Sequence, residues 1–321
     1  MNVGAVLIGR NEGARLVAAL EAARGQVGRM VYVDSGSTDG SVEAARAAGA
    51  AVVELDLATP FTAARARNEG LSRLLHDGPL DYVQFIDGDC ALQPGWIDTA
   101  KAFLDENPQA AVVHGRRRER YPEATVYNQL CDWEWDRPAG QATSCGGDAM
   151  MRVTAFQAVG GYDPGLIAGE EPELCVRLRA AGWQVWCLDA EMTLHDAAMT
   201  RFGQYWRRAR RAGHAYAEGA AMHGAPPERH GVAGRNRALF WGAGLPAAIV
   251  VAGLISHWAF LITLAFPIQL ARIAFTQGPP GCQGWVRAFF LTLEKFPQAQ
   301  GVIGYFFDRL RGRRTKLIEY K

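Results

Sequence analysis

The 321-residue chain lacks several features that would classify it at once. It has no charge excess: 34 basic residues stand against 33 acidic ones, so no global field draws it to nucleic acid. Its six cysteines (Cys90, Cys131, Cys145, Cys175, Cys187, Cys282) show no paired metal-ligand spacing and are too sparse for a disulfide framework. They read as reduced thiols of a cytosolic protein. No G-x-G-x-x-G follows the first apolar run, so a dinucleotide site, and with it a soluble dehydrogenase, is unsupported. The P-loop signature G-x-x-x-x-G-K-[ST] is absent too. No internal repeat or low-complexity tract occurs. The start, M-N-V-G-A-V-L-I-G, lacks a basic leader and is expected to be a first strand rather than a signal peptide.

One absence is positive evidence. From Ala238 to Ala271, 34 residues pass without a charged side chain unless His257 is protonated. A single membrane span needs about 20 apolar residues, so this run is long for one span and short for two. Ser256-His257-Trp258 divides it, and Pro246 and Pro267 interrupt the halves. Two short tilted spans or a re-entrant hairpin are expected. Arg235, Arg237 and Arg272 flank the run, which puts both ends on one side if positive charge stays cytoplasmic. A helical hairpin buried in a soluble core is the alternative. Just upstream, Arg201, Arg207, Arg208, Arg210 and Arg211 lie largely opposite Phe202, Tyr205, Trp206, Ala209 and Tyr216 at helical spacing. That composition predicts a basic amphipathic helix at a membrane interface, held by anionic lipid. The stretch from Trp285 to Phe307 is expected to be interfacial. The C-terminus is basic, with Arg309, Arg311, Arg313, Arg314 and Lys316.

The first half alternates short apolar runs with helix-like stretches, the mark of a parallel sheet with crossover helices. Strands are expected at Val3 to Ile8, Met30 to Val33, Ala51 to Leu55, Tyr82 to Ile86 and Ala111 to His114. Helices are expected at Glu12 to Ala23, after Ser37-Thr38-Asp39 through Ala47, at Thr62 to Leu75, and from Pro94 through Leu104. In such sheets ligands sit beyond the carboxyl ends of the strands. Polar clusters follow three strands: Arg10-Asn11-Glu12, Asp34-Ser35-Gly36-Ser37 and Asp87-Gly88-Asp89. They are expected to converge on one crevice.

Read in order, I-G-R-N-E (Ile8 to Glu12), V-D-S-G-S-T-D-G-S (Val33 to Ser41), A-R-N-E-G (Ala66 to Gly70), D-G-D (Asp87 to Asp89), G-G-D-A-M-M-R (Gly146 to Arg152), V-G-G-Y-D (Val159 to Asp163) and G-E-E-P-E-L-C-V-R-L-R (Gly169 to Arg179) resemble the family 2 glycosyltransferases. These are inverting enzymes of the GT-A fold, and the likeness runs from Val3 to Tyr216. The implied fold is α/β: a GT-A, Rossmann-like, mainly parallel mixed sheet flanked by helices, followed by interfacial and membrane-embedded C-terminal helices. The implied domains are 1–200, catalytic; 201–235, basic interface helix and linker; and 236–321, membrane-associated hairpin and basic tail.

The resemblance also assigns roles. Asn11, Glu12, Asp34, Arg67, Asp87, Gly147 and Asp148 would bind the donor, a nucleotide sugar and by preference a UDP-sugar. Asp34 would contact base or ribose, although many relatives carry a second acid where this chain has Ser35. Gly146-Gly147-Asp148 would also lie by the acceptor, since glycine permits close backbone approach. Asp87 and Asp89, the D-x-D element, would hold Mg²⁺ or Mn²⁺ against the diphosphate, with His195 as a further ligand. Glu171 would be the general base, with Glu170 the lesser candidate; Pro172 at the first helical position would make Glu171 the capping residue. Trp133 and Trp135 could stack on a sugar or pack in the core. Gln204-Tyr205-Trp206-Arg207-Arg208 matches the Q-x-x-R-W element of processive synthases only in part, and two spans are too few for a polymer channel. The expected activity is transfer to a membrane-held, lipid-linked glycan acceptor in surface-glycan assembly, at the cytoplasmic face of the inner membrane, with membrane lipids as partners and no nucleic acid. Direct glycosylation of a lipid or polyprenyl phosphate is the runner-up; an inactive membrane-tethered scaffold is the reading from a different class.

Overall fold

A computed structural model describes residues 2–277, 279 and 281–313. Arg314 and Lys316 of the basic tail lie outside the described residues. The chain divides into two compact units after Thr200.

In unit 1, nine strands among the described residues form one mixed sheet. They are β1 (Val3–Gly9), β2 (Arg29–Asp34), β3 (Ala51–Glu54), β4 (Tyr82–Asp87), β5 (Cys90–Leu92), β6 (Ala110–Glu119), β7 (Gly140–Ala142), β8 (Ala149–Arg152) and β9 (Gln184–His195). The order is β3-β2-β1-β4-β8-β6-β9-β5, with β7 on β9. The first four strands are parallel, and β6 and β9 are parallel to each other. Strand β8 enters antiparallel between β4 and β6. β6 runs past its apolar start, Ala110–Val113, through Arg116, Arg117 and Arg118 to Glu119, paired there with β9.

Helices cover both faces, which is why β1 and most of β4 are apolar. One face is packed by α1 (Ala14–Ala23), α2 (Ser41–Ala47) and α4 (Trp96–Glu106) through Leu16, Leu20, Ala45, Trp96 and Leu104. The other is packed by α3 (Ala63–His76), α6 (Val153–Ala158) and α7 (Glu170–Ala180) through Leu71, Leu74, Phe156, Leu174 and Leu178. α5 (Val126–Trp135) lies beyond β6 in sequence. Gly70, the last residue of A-R-N-E-G, is where α3 presses onto the sheet; a Cβ there would strike Val6 and Val33. Two helix starts differ from expectation. Ser37-Thr38-Asp39 forms the preceding turn, and Gly40 in the left-handed region caps α2. Gly95, also left-handed, caps α4 after Pro94.

Unit 2 is helical. α8 (Phe202–His223) buries Tyr205, Ala209, Gly213 and Ala217. Its partner is the helix Lys295–Leu310, and the two cross closely at glycine: a Cβ on Gly213 would strike the Gln298 backbone, and one on Gly301 the Arg210 carbonyl. The side expected to face lipid is thus largely taken by a neighbouring helix, leaving Phe202 exposed at its start. A helix runs unbroken from Val232 to Ile255 through a π-helical turn at Phe240–Gly244, so Pro246 does not interrupt it. Ser256 is extended, and a second helix, His257–Thr276, follows. These two helices, of 24 and 20 residues, are long and apolar enough to cross a membrane, and only 11% and 6% of their apolar windows are buried. A core helix of a soluble protein would be mostly covered. Trp285 to Phe307 falls in two helices, Cys282–Leu293 and Lys295–Leu310, joined at Glu294.

Candidate active site

The three polar clusters do converge. Gly9 is in register with Asp34 on one side of β1, and Ile8 with Asp87 on the other. The chain ends of β2 and β4 therefore flank that of β1, about 10 Å apart at the usual strand spacing. Asn11, at a left-handed φ of 55°, ties the first cluster to the second: its side-chain oxygen accepts from Thr38 N at 2.7 Å, and its N–H donates to Ser37 Oγ at 2.9 Å. Gly88 N donates to the Ile8 carbonyl at 2.8 Å, which brings the D-G-D turn against the same loop. The stem of Glu12 lies beside Gly88, and its carboxylate pairs with Arg15 at 2.8 Å. Asp34 is buried. Its carboxylate accepts from Gly36 N, Ser37 N and the Tyr32 hydroxyl at 2.8–3.0 Å. Its present work is to shape the loop.

The second half of the site is a network of buried charge. Arg67, on α3 and 2% exposed, spreads its guanidinium over three carboxylates: Asp87 at 2.8 Å, Glu170 at 3.0 Å and Glu171 at 3.1 Å. It joins the D-G-D turn to the E-E pair at the start of α7. Gly147 is forced by this contact: a Cβ would collide with Asp87 Oδ2 and stand 2.7 Å from Arg67 Nη2. The glycine admits protein rather than ligand here. Asp148, fully buried, accepts from Asp87 N at 2.9 Å and from Thr193 Oγ1 at 2.8 Å. It also pairs with Arg117 at 2.9 Å, and Arg117 reaches Asp87 Oδ2 at 3.4 Å. Asp87 is thus bracketed by two arginines, while Asp89 faces His195, Oδ2 to Nε2, at 2.9 Å. Trp135 stacks on both flanks of this floor, 4.5 Å from the His195 ring and 5.4 Å from the Arg117 guanidinium. Trp133 takes no part in those contacts.

Arg117 was not anticipated. A signal existed: Arg116-Arg117-Arg118 ends a strand, and a period of two sets the middle residue apart from its neighbours. Arg116 and Arg118 pair with Asp189 and Asp132 instead.

Glu171 differs from expectation in its setting. Gly169, with φ 80°, is the cap of α7, and Glu170 and Glu171 are its first two residues. Glu171 is not the capping residue. Burial and the neighbouring Glu170 charge outweigh Arg67 and push its carboxyl up to about 7. The helix start does not hold it strongly acidic; it is poised near neutrality, where a general base works best. Burial, with the Arg117 charge, lowers His195 to about 4, leaving a neutral imidazole. Burial works against charge on Arg117, but Asp148 and Asp87 hold it above the ordinary guanidinium value.

The residues fit a divalent cation. Four carboxylates (Asp87, Asp148, Glu170, Glu171) pair with two guanidiniums in this region, and Asp89 pairs with His195. His195 is buried with Nδ1 unpartnered among the described residues. Oxygen and neutral imidazole donors suit Mn²⁺ or Mg²⁺. Asp89 and His195 are the ligands the geometry favours; Asp87 would have to release an arginine to join them.

Residues 5–159, just under half of the chain, match the model of glycosyl transferase family 2. It is 28% identical over 213 residues to the succinoglycan biosynthesis protein ExoA of Rhizobium meliloti (strain 1021), covering 61% of this chain and 64% of ExoA. It is 27% identical over 121 residues to the glucosyl-dolichyl phosphate glucuronosyltransferase of Haloferax volcanii, covering 32% of this chain and 38% of that protein. The matches thus span less than two thirds of either relative. The fold is similar to that of the mannosyltransferase PcManGT from Pyrobaculum calidifontis, solved with GDP-Man and Mn²⁺: TM-score 0.58, 17% identity, 96% of this chain and 88% of that one.

Proposed function

We propose that the protein is an inverting glycosyltransferase that moves a sugar from a nucleotide-sugar donor to a lipid-linked acceptor held at a membrane. The observation that carries the reading is the single buried network joining D-G-D, G-G-D and E-E through Arg67 and Arg117. The match to glycosyl transferase family 2 supports the reaction class. The acceptor class is supported by relatives named for succinoglycan assembly and for a dolichyl-phosphate-linked sugar. It is supported too by the two exposed apolar helices, which we assign to the membrane. The cytoplasmic face follows from the arginines flanking those helices.

The loop shaped by Asp34 and Asn11 receives the nucleoside. Asp89 and His195 hold the dication, which when bound neutralises the departing diphosphate. Arg67 orients Asp87 and Glu171 relative to each other. Glu171 takes the proton from the acceptor hydroxyl at an oxygen facing the crevice, where 15% exposure leaves it reachable. The deprotonated hydroxyl oxygen attacks the anomeric carbon from the face opposite the nucleotide, so the configuration inverts.

The test uses protein in bilayer discs, Mn²⁺ and a panel of UDP- and GDP-sugars, with a polyprenyl-diphosphate sugar as acceptor. Transfer from one donor, with inverted anomeric configuration by NMR, is the expected result. Transfer to polyprenyl phosphate alone would move the assignment to direct lipid glycosylation. No transfer and no donor hydrolysis would reduce the protein to a scaffold.

A further inference from the structure

Cys90 follows D-G-D directly and opens β5. In the antiparallel pairing of β5 with β9 it stands opposite His195, so both side chains lie on one face of the sheet. Its Sγ is 3.6 Å from Asp89 Oδ1, and His195 Nε2 is 2.9 Å from Asp89 Oδ2. One donor atom from each of the three lies within 4.8 Å of the others, and all three residues are buried. Cys90 stands in the same relation to Asp87 and Asp148. The sequence spacing gives no hint of this, because the thiol and the imidazole are 105 residues apart.

We propose that Cys90 makes this site thiophilic: Zn²⁺ or Cd²⁺ is captured by Cys90 Sγ, His195 Nε2 and an Asp89 oxygen, in competition with the hard cation of the transfer reaction. Thiolate, imidazole and carboxylate are the zinc donor set, and three protein ligands with one open position make a stable tetrahedral site. Soft sulfur selects Zn²⁺ or Cd²⁺ over Mg²⁺ and Mn²⁺, and Mn²⁺ already stands lowest in the divalent series. The incoming ion displaces the thiol proton, which passes to solvent. The protein would therefore be inhibited by soft cations at concentrations far below those of the activating one. The competition rests on the hard-cation reading above; the thiol site itself does not.

The experiment uses the full-length protein in detergent, with Cd²⁺ alone and Mn²⁺ alone as probes. The sulfur-to-cadmium charge-transfer band is compared between wild type and Cys90→Ser, with Cys90→Ala as a second variant should the hydroxyl disturb the core. The other cysteines are common to all three proteins and cancel in the difference. Displacement of bound Mn²⁺ by Zn²⁺ is followed by electron paramagnetic resonance. The expected result is one thiolate-cadmium band per chain lost in both variants, and a fall of at least tenfold in the ability of Zn²⁺ to displace Mn²⁺. An unchanged band, or equal displacement in wild type and variants, would overturn the proposal. A Cys90-dependent band with no bound Mn²⁺ signal would uphold the thiol site while removing the hard-cation reading.

Discussion

The two units place the same kinds of side chain in opposite surroundings. In unit 1, five carboxylates and two arginines are drawn together in the interior and the apolar residues are hidden. In unit 2, Val250, Val251, Leu254, Ile255, Trp258 and Leu261 are 58–85% exposed. Burying charge is expensive unless it is paired, and leaving a continuous apolar surface in water invites association. On the function proposed above, each unit departs from the ordinary rule where it would meet its ligand or its solvent: the first would offer ionised groups to a charged donor, and the second would offer hydrocarbon to a bilayer.

Variants can sharpen or break that contrast. The largest effect is expected at the base. Glu171→Gln removes the proton acceptor and should lower kcat by about 10³-fold, within the range for general-base catalysis, while donor affinity stays within about threefold. Single-turnover assays with separate donor titration check it; retained turnover would remove Glu171 from the chemistry.

Next comes the apolar surface. Leu254→Arg, one residue from the end of its helix, should cost up to the roughly 2.5–3.5 kcal/mol of membrane insertion that an arginine costs at a helix centre, read as a shift of the protein from membrane to soluble fraction. Were Leu254 simply a surface residue in water, the same change would fall within about 0.5 kcal/mol. Third is packing inside unit 1. Gly70→Ala forces a methyl against Val6 and Val33 and should destabilise the unit by about 1–3 kcal/mol, seen as a lower Tm. The mildest is pH. With Glu171 raised to about 7, the protonated form dominates below that value, so kcat should fall tenfold per pH unit on the acid side and level off above it. A limb near 4.5 would mean that burial does not govern the base.

Most of the sheet was legible in the sequence, since parallel strands covered on both faces read as apolar runs between helix-like stretches. So were Asp34, Asp87 and Asp89, because they stand where strands end; Glu170 and Glu171 open a helix and were legible only through the resemblance. The connections among them were not. Arg67 read as a donor-binding residue, yet its side chain links three carboxylates, Asp87 on β4 and Glu170 and Glu171 on α7. Gly147 read as space for a ligand, whereas Asp87 and Arg67 occupy that space. Arg117 and the Cys90–His195 juxtaposition were missed because the residues concerned are distant in sequence and meet only through the pairing of β6 with β8 and β9 and of β5 with β9. The amphipathic pattern of α8 was visible, but a pattern of apolar positions does not say whether lipid or another helix covers them.

The measurement that bears most directly on the central claim is calorimetric titration of nucleotide sugar into wild type and Asp89→Ala, each with and without Mn²⁺. A site built to hold a diphosphate through a dication should bind donor at least tenfold more tightly with Mn²⁺ in the wild type, and lose that gain in Asp89→Ala. Equal affinity in all four titrations would contradict it.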